Sequence, residues 1–523
     1  MARNILFITT DQQRFDSLGC HGSVARTPAA DLLASEGIDF TCAYTNHAVC
    51  MPTRTTMFTG QYPLTHGITA NGMRYSTGEK GVARWLKRHA GYRTALIGKS
   101  HFEPMFDPFL QFKQNRLAPL GSNGPWMGFD HVELASHGLI GGHYTRWLLE
   151  NHPEHTGGFA IAIAGKGGGE TGAPELHHNP IPRELYHSDW IADRTIAHIS
   201  DLNQTGSPWF IWMSFPDPHH PFDPPADELR RHNWRDLELP PGNPGSDRKC
   251  IESLKTKPRH WLDYYMGNYQ NCEGAPVKFV PRNLTHDQIR EINQYIHVEN
   301  ELIDEAMGRV LAHLERLGIY DNTDIFFTTD HGDLQGDFNF AFKGPFHTNS
   351  LLHIPFIYKP AACEKAAPRA SEQLVSHVDL VPTFCRAAGV PLPPWAQGRH
   401  LPLDPDETRE RVITTWDSQF RVIGMHMRTL INDRYIITAY LPSTRGRGGR
   451  WPLLERAIWG SKGRIPKYDG TEGELYDRLE DPWQWRNLWD DPSFKRVKSD
   501  LLADLWDNMP EECPHERRVV SPV

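Results

Sequence analysis

The stretch "NILFITTD", residues 4 to 11, decides the reading of the fold. Ile5, Leu6, Phe7 and Ile8 follow one another without alternation, and two threonines then lead to Asp11. So short an apolar run, uninterrupted by polar residues, reads as a parallel strand buried on both faces, with polar groups at its C-terminal tip. In "RTPAADLLASEGIDF", residues 26 to 40, Thr27 is placed to cap a helix and Pro28 suits its first position. Leu32 and Leu33 are expected to face inward, and Gly37 to end the helix before a strand at Ile38 to Phe40. In "GVARWLKRHAGYRTALIGKSHF", residues 81 to 102, the same pattern recurs: a helix closes at Gly91, and a strand from Thr94 to Ile97 delivers Lys99 and His101. Strands alternating with helices imply an α/β sheet with its ligands at the carboxyl ends of the strands.

Further along, residues 209 to 215 read as a buried strand running into "PDPHHPFDPP". In "IREINQYIHVENELIDEAMGRVLAHLERLG", Ile289, Ile292, Ile296, Leu302, Ile303, Met307, Val310, Leu311 and Leu314 recur at helical spacing, and Gly318 closes the helix. The next strand and tip are "DIFFTTDHGD". Two stretches, about 102 to 185 (with "GKGGGETGAP") and 222 to 283, break the pattern and are expected to be irregular insertions. After about residue 405, "RVITTWD" and "RTLINDRYIITAY" are β-rich. A catalytic domain over 1 to 400 and a smaller C-terminal domain over 401 to 523 are therefore expected.

At 523 residues the chain can bury a large core, and its composition is that of a globular protein. A formal net charge of -9, with no basic stripe, argues against a nucleic-acid partner. The apolar run of "MARNILFITTDQQ" is too short for a signal segment, and no 18-residue apolar stretch occurs, so a cytoplasmic protein with no membrane partner is expected. The eight cysteines are scattered without a C-x-x-C pair, which argues against disulfides and a zinc ribbon.

Four strand tips carry polar groups: Asp11 with Gln12, Lys99 with His101, His219 with His220, and Asp330 with His331. On a parallel sheet such tips converge on one edge. The stretch "NHAVCMPTRTTMFTGQYP", residues 46 to 63, should open a helix onto the same edge, with Pro52 at its start and Arg54 in its first turn facing a tetrahedral anion. Asp11, Gln12 and Asp330 offer oxygen and His331 a nitrogen, a set suited to Ca²⁺, Mn²⁺ or Mg²⁺ rather than zinc. Lys99, His101, His219 and Lys343 then supply positive charge and proton donors for a leaving oxygen. Asp333 and Asp337 read as solvated or structural, and Trp483, Trp485 and Trp489 as core or subunit contact.

"CMPTR" followed by "TGQYP" resembles the sulfatase signature, in which the cysteine of C-x-P-x-R is converted after translation to formylglycine. "TTDHGD" resembles the second metal motif of that family, "ELYDRLEDPWQWRNL" its C-terminal segment, and "HVDLVPTFCRAAGVPLPP" also fits. The resemblance spans Asn4 to about Leu488. It implies the α/β sandwich of the alkaline phosphatase superfamily, a large, mostly parallel sheet flanked by helices, with a small C-terminal α+β domain built on an antiparallel sheet. It also implies that Cys50, as hydrated formylglycine, is both metal ligand and nucleophile. In that role Cys50 attacks sulfur or phosphorus to give a covalent ester, which its second hydroxyl resolves by hemiacetal breakdown. A formylglycine-generating enzyme is then a maturation partner.

Sulfatases typically carry two adjacent aspartates after the first strand, whereas this chain has Asp11-Gln12. "DQQR" is similar to the phosphonate monoester hydrolase branch, which also has a lysine thirteen residues after the metal aspartate, as Lys343 follows Asp330, and a substrate-binding asparagine where Asn71 stands. Lys99 and His101 depart from that branch and follow the sulfatase pattern. The resemblance thus implies an arylsulfatase-like hydrolase of sulfate monoesters with side activity on phosphonate monoesters and phosphodiesters, those activities being the alternative main function. Long insertions and many aromatics make a homodimer or homotetramer the expected assembly.

Overall fold

The computed structural model describes residues 3–75, 80–105, 107, 109–136, 141–158, 168–271, 274–276, 278–418, 425–443, 466–514 and 519–521. Cys272, the first three residues of "GKGGGETGAP" and most of the terminal "HERRVVSPV" lie outside the described residues.

The strands in chain order are β1 (Asn4–Thr10), β2 (Ile38–Phe40), β3 (Ala43–Tyr44), β4 (Arg93–Gly98), β5 (His131–Leu134), β6 (Trp209–Ser214), β7 (Thr323–Thr329), β8 (Phe356–Lys359), β9 (Arg369–Ser371) and β10 (Val375–Ser376). Eight of them build one sheet in the order β5-β4-β6-β1-β7-β8-β2-β9, while β3 and β10 form a separate short pair. Only β8 runs against its neighbours in that sheet. The expected run of residues 4 to 11 is its central strand: Leu6 lies opposite Ile211 of β6 and Ile325 of β7.

Both faces of β1 are covered, as its unbroken apolar run requires. Ile5 and Phe7 pack with Met57 and Phe58 of helix α2 (Cys50–Thr59) and with the helices Val82–Ala90 and Leu380–Ala388. Leu6 and Ile8 pack with Leu33 of helix α1 (Pro28–Glu36) and with the helices His187–Thr205 and His286–Arg316. Four such side chains contribute roughly 6–12 kcal/mol of apolar burial, which fixes the register of the strand whose tip carries the site. In His286–Arg316 all nine expected core positions are buried, and Gly318, in the left-handed region at φ +67°, follows its end.

Several local expectations are corrected. Leu32 is 40 % exposed, because Ala29, Ala30 and Leu33 already form the buried stripe of α1. Thr27 makes no side-chain cap on α1. Asp304, reaching across from His286–Arg316, instead accepts from the Ala29 and Ala30 N–H groups at 2.9 and 2.8 Å, while Thr27 Oγ1 accepts from Gly19 N–H at 2.7 Å. The region 102 to 185 is not wholly irregular, since it contributes the edge strand β5 and the helix His143–Asn151. A four-residue edge strand carrying His131 and Glu133 lacks the apolar run that marks the central strands. The region 222 to 283 holds two short helices, Asp247–Leu254 and Arg259–Tyr265.

Beyond the large sheet, β11 (Val412–Asp417), β12 (His426–Ile431), β13 (Tyr435–Tyr440) and β14 (Gly473–Asp477) form an antiparallel four-stranded sheet. The helix Lys495–Asp507 packs on one face through Leu501 and Leu505, joined by Trp489. Trp485 is 40 % exposed and donates to Gly242 O at 3.1 Å. No helix among the described residues is long and apolar enough to cross a membrane.

Candidate active site

Four neighbouring strands, β4, β6, β1 and β7, end at one edge of the sheet. Their tips carry Lys99 and His101, Ser214 and the loop to His219, Asp11 and Gln12, and Asp330 and His331. Gln12 and His101 both sit in the left-handed region, at φ +65° and +55°. For a residue with a side chain this conformation costs of order 1 kcal/mol and persists where surrounding contacts enforce it. At Gln12 such contacts are visible: its N–H donates to Asp330 Oδ1 at 3.0 Å.

Helix α2 opens onto this edge with Cys50 as its first residue, and all ten of its residues are buried. Pro52 has no N–H to leave unpaired in the first turn, and Asn71 Oδ1 accepts from Met51 N–H at 3.1 Å. Thr56 and Thr59 return their hydroxyls to the carbonyls of Pro52 and Thr55, so a polar helix can be buried whole.

One ligand atom from each of Asp11, Cys50, Asp330 and His331 falls within 4.8 Å of all the others. His331 Nδ1 bonds to Gly332 O at 2.9 Å, which leaves Nε2 facing Cys50 Sγ at 3.2 Å. A ring nitrogen oriented by a carbonyl behind it is the usual arrangement of a metal-binding histidine. The donor set therefore fits a divalent cation held by two carboxylates and an imidazole beside residue 50.

Three cations hold the cluster. The Arg54 side chain is fully buried, and its Nε donates to Asp330 Oδ2 at 2.9 Å. Its Nη1 donates to Lys99 O and Ser214 Oγ, and its Nη2 to Thr10 O and Asp11 Oδ2. Every nitrogen of the guanidinium is thus engaged by the protein. Lys99 Nζ lies 2.7 Å from Asp11 Oδ2. Lys343 Nζ lies 2.8 Å from Gln12 Oε1, 3.2 Å from Cys50 Sγ and 2.7 Å from His219 Nε2.

Electrostatics divide the two carboxylates. Burial works to raise Asp11, but Lys99, His219, Arg54 and Lys343 outweigh it and hold the group well below the usual carboxylate range. Burial and the facing Asp11 push Asp330 up to about 6. Burial and Asp11 also push the Cys50 thiol up to about 12, so an unmodified thiol here stays protonated. Burial, then Lys343, hold His219 and His331 well below the usual imidazole range.

His101 is buried, and neither ring nitrogen has a hydrogen-bond partner among the described residues. With Lys99, Gln114 and Leu134 it lines a small cavity of about 20 Å³. Gln12 joins the site through its backbone and its amide: Nε2 donates to Asp333 and contacts His220 Nδ1 at 3.2 Å. Asp333 and Asp337 are buried, not solvated; Asp337 pairs with Arg14 at 3.0 Å. Ser214 and the Gln12 contact of His220 were not singled out from sequence, and Asp333 was named there only as solvated or structural. Ser214 could have been found as the polar terminus of the β6 run.

The sulfatase family model matches residues 3–390. The chain belongs to the sulfatase family. Among its relatives, the arylsulfatase of Clostridium perfringens is 25 % identical over 515 residues, covering 95 % of this chain and 92 % of its own. A multifunctional alkaline phosphatase superfamily protein of Trinickia caryophylli is 27 % identical over 414 residues, covering 76 % of each. In fold, the phosphonate monoester hydrolase of Silicibacter pomeroyi superposes with a TM-score of 0.74 at 21 % identity, over 97 % of this chain and 96 % of that one. Sulfatase membership assigns the chain to the hydrolases of sulfate esters.

Proposed function

We propose that this sulfatase is a formylglycine-dependent hydrolase of sulfate monoesters, aryl or small alkyl, with side activity on phosphonate monoesters and phosphodiesters. The observation that carries the reading is the position of Cys50: first in a buried helix, within 3.2 Å of both His331 Nε2 and Lys343 Nζ, inside a cluster of two carboxylates. A protonated, buried thiol is a poor nucleophile, whereas formylglycine at residue 50 would supply one hydroxyl for attack and a second to expel the oxyanion. Asp11, Asp330 and His331, with the Gln12 amide oxygen, would hold a Ca²⁺, Mn²⁺ or Mg²⁺ ion, which when bound polarises a substrate oxygen.

The chain's own residues do the rest. Arg54 fixes the two carboxylates in place. Lys99, on Asp11 Oδ2, and Lys343, on Cys50 Sγ, bring positive charge to the cluster where an oxyanion would develop. Lys343 and His219, 2.7 Å apart, form the pair that delivers a proton to the leaving oxygen. Asn71 Oδ1 pins the first turn of α2, and its amide nitrogen would serve substrate binding. Maturation by a formylglycine-generating partner, cytoplasmic residence and homo-oligomeric assembly complete the proposal.

The test is kcat/KM for an aryl sulfate beside the matching aryl phosphonate monoester and phosphodiester, on protein made with the cysteine-modifying enzyme. Preference for the sulfate supports the reading. Preference for either phosphorus ester replaces it with the phosphonate hydrolase alternative, which the Gln12 and Lys343 contact favours. A peptide mass spectrum showing only unmodified Cys50 in active protein would remove the nucleophile assignment altogether.

A further inference from the structure

Among the described residues a second group of ligating side chains stands apart from the catalytic one: Cys20, His21 and Asp39, each offering one ligand atom within 4.8 Å of the other two. His21 Nδ1 lies 2.9 Å from Phe15 O, and Nε2 lies 2.9 and 3.1 Å from the two oxygens of Asp39. Both nitrogens therefore face acceptors. In a neutral ring donating from Nδ1, the Nε2 lone pair would be pressed against a carboxylate, and something positive must lie between them: a second ring proton, or a cation. A bare imidazolium–carboxylate pair satisfies Nε2 and leaves the Cys20 thiol to donate to Asp31, with two carboxylates and no metal beside the sulfur.

The three groups come from pinned backbone. The His21 ring stacks on Phe15 at 4.0 Å and 14°, and Phe15 stacks on His353 at 3.8 Å. Cys20 N–H donates to Asp31 Oδ1 at 2.8 Å. Gly22, at φ +90°, closes the turn by donating to Gly19 O at 3.0 Å. Asp39 is the middle residue of β2, hydrogen-bonded between β8 and β9. Ligands on a tetrahedral ion with bonds of about 2.0–2.2 Å stand roughly 3.3–3.5 Å apart, so the nitrogen and oxygen atoms need move only a few tenths of an ångström.

We propose that Cys20, His21 and Asp39 form a binding site for a borderline-soft divalent cation of the zinc type, with water in the fourth position. Thiolate, imidazole and carboxylate together select zinc over the harder ions suited to the oxygen-rich catalytic cluster. Phe15 O is the outer partner that orients the histidine. Binding releases the Cys20 thiol proton to solvent as the sulfur–metal bond forms. The ion ties the turn that follows Asp11 and Gln12 to strand β2. This site is independent of the reading of the catalytic centre.

The test uses the full chain as Cys50→Ala, so that no thiol remains in the catalytic cluster, and Co²⁺ and Zn²⁺ as probes. Co²⁺ should give a thiolate-to-metal charge-transfer band that Zn²⁺ abolishes, and equilibrium dialysis should show one more bound Zn²⁺ than in Cys20→Ser/Cys50→Ala. Cys20 is exposed, so its serine variant should keep the parent's circular dichroism and unfolding midpoint. Asp39→Asn, which retains a hydrogen-bond acceptor for His21, should weaken Zn²⁺ at least tenfold. Absence of the band in Cys50→Ala, or a band and stoichiometry unchanged by Cys20→Ser, would overturn the site and leave His21 and Asp39 as an ion pair.

Discussion

Two roles are open to Arg54, contact with the substrate anion and support of the carboxylates, and one substitution separates them. The perturbation is Arg54→Lys, which keeps the charge and removes the planar fork. The guanidinium makes five hydrogen bonds, to Asp330, Lys99 O, Ser214 Oγ, Thr10 O and Asp11. One ammonium on a shorter reach can serve at most one of the two carboxylates together with a single carbonyl. Three of the five acceptors then lose this donor; the carboxylate among them keeps another, Lys99 on Asp11 or the Gln12 N–H on Asp330, so the other two are left short at about 1–3 kcal/mol each, a loss of roughly 2–6 kcal/mol. The assay is the urea unfolding midpoint at constant slope, with kcat and KM for an aryl sulfate measured on the same preparations. The expected outcome is a lowered midpoint together with a fall in kcat, because both carboxylates lose their alignment. A variant that unfolds where the parent does and differs only by a raised KM would refute the reasoning and return Arg54 to substrate contact.

Three other outcomes are expected. His219→Ala should cost about tenfold with a good leaving group such as a nitrophenolate and a hundredfold or more with an alkoxide, since proton delivery matters only where the leaving oxygen is basic; equal losses across a leaving-group series would sink the proton-delivery role. Burial pushes the Lys257 ammonium, which donates to Tyr476 OH and Gln484 O, down to about 8. Above that value the folded chain loses a proton that the unfolded chain keeps up to about pH 10.4, so stability rises with pH across this window. Lys257→Met should remove up to about 3 kcal/mol of that rise, and parallel pH profiles of the two proteins between pH 8 and 10 would contradict the assignment. Asp304→Ala should lower stability by about 1–2 kcal/mol by uncapping α1, whereas Thr27→Val should cost less at that helix; the reverse order of unfolding midpoints would restore Thr27 as the cap.

Much of this protein could be read before its structure, and the boundary follows physical lines. The central strands β1, β6 and β7 are buried on both faces, so their apolar runs are unbroken and visible. Strand β5 is an edge strand with polar residues at alternate positions, and no run marks it. The polar strand tips were legible because the topology of a parallel sheet brings them together. What each tip touches was not. Arg54 read as an anion contact because a first-turn guanidinium is free unless carboxylates lie across from it, and those carboxylates come from positions 11 and 330. Asp304 capping α1 is a contact across 274 and 275 residues, which local sequence does not encode, whereas Thr27 is where a local rule looks.

The contacts of Gln12 bear on what this centre can hydrolyse. Where typical sulfatases place a second aspartate after the first strand, the amide here takes Lys343 Nζ on its oxygen at 2.8 Å and gives its nitrogen to Asp333. An aspartate at position 12 would meet Asp333 as a second carboxylate and would hold Lys343 as an ion pair, away from residue 50. With glutamine, Lys343 is shared among Gln12, His219 and Cys50 Sγ. Around residue 50, Arg54, Lys99 and Lys343 then face Asp11 and Asp330, three positive charges against two negative, and a divalent cation would raise the excess from one to three. Sulfate monoesters, phosphonate monoesters and phosphodiesters are all monoanions at neutral pH, so this excess of charge attracts them alike. With charge and leaving group held the same, these esters differ in one substituent on the central atom, an oxygen on sulfur against a carbon or a second ester group on phosphorus, so discrimination would have to come from what lies against that substituent rather than from the charge of the centre.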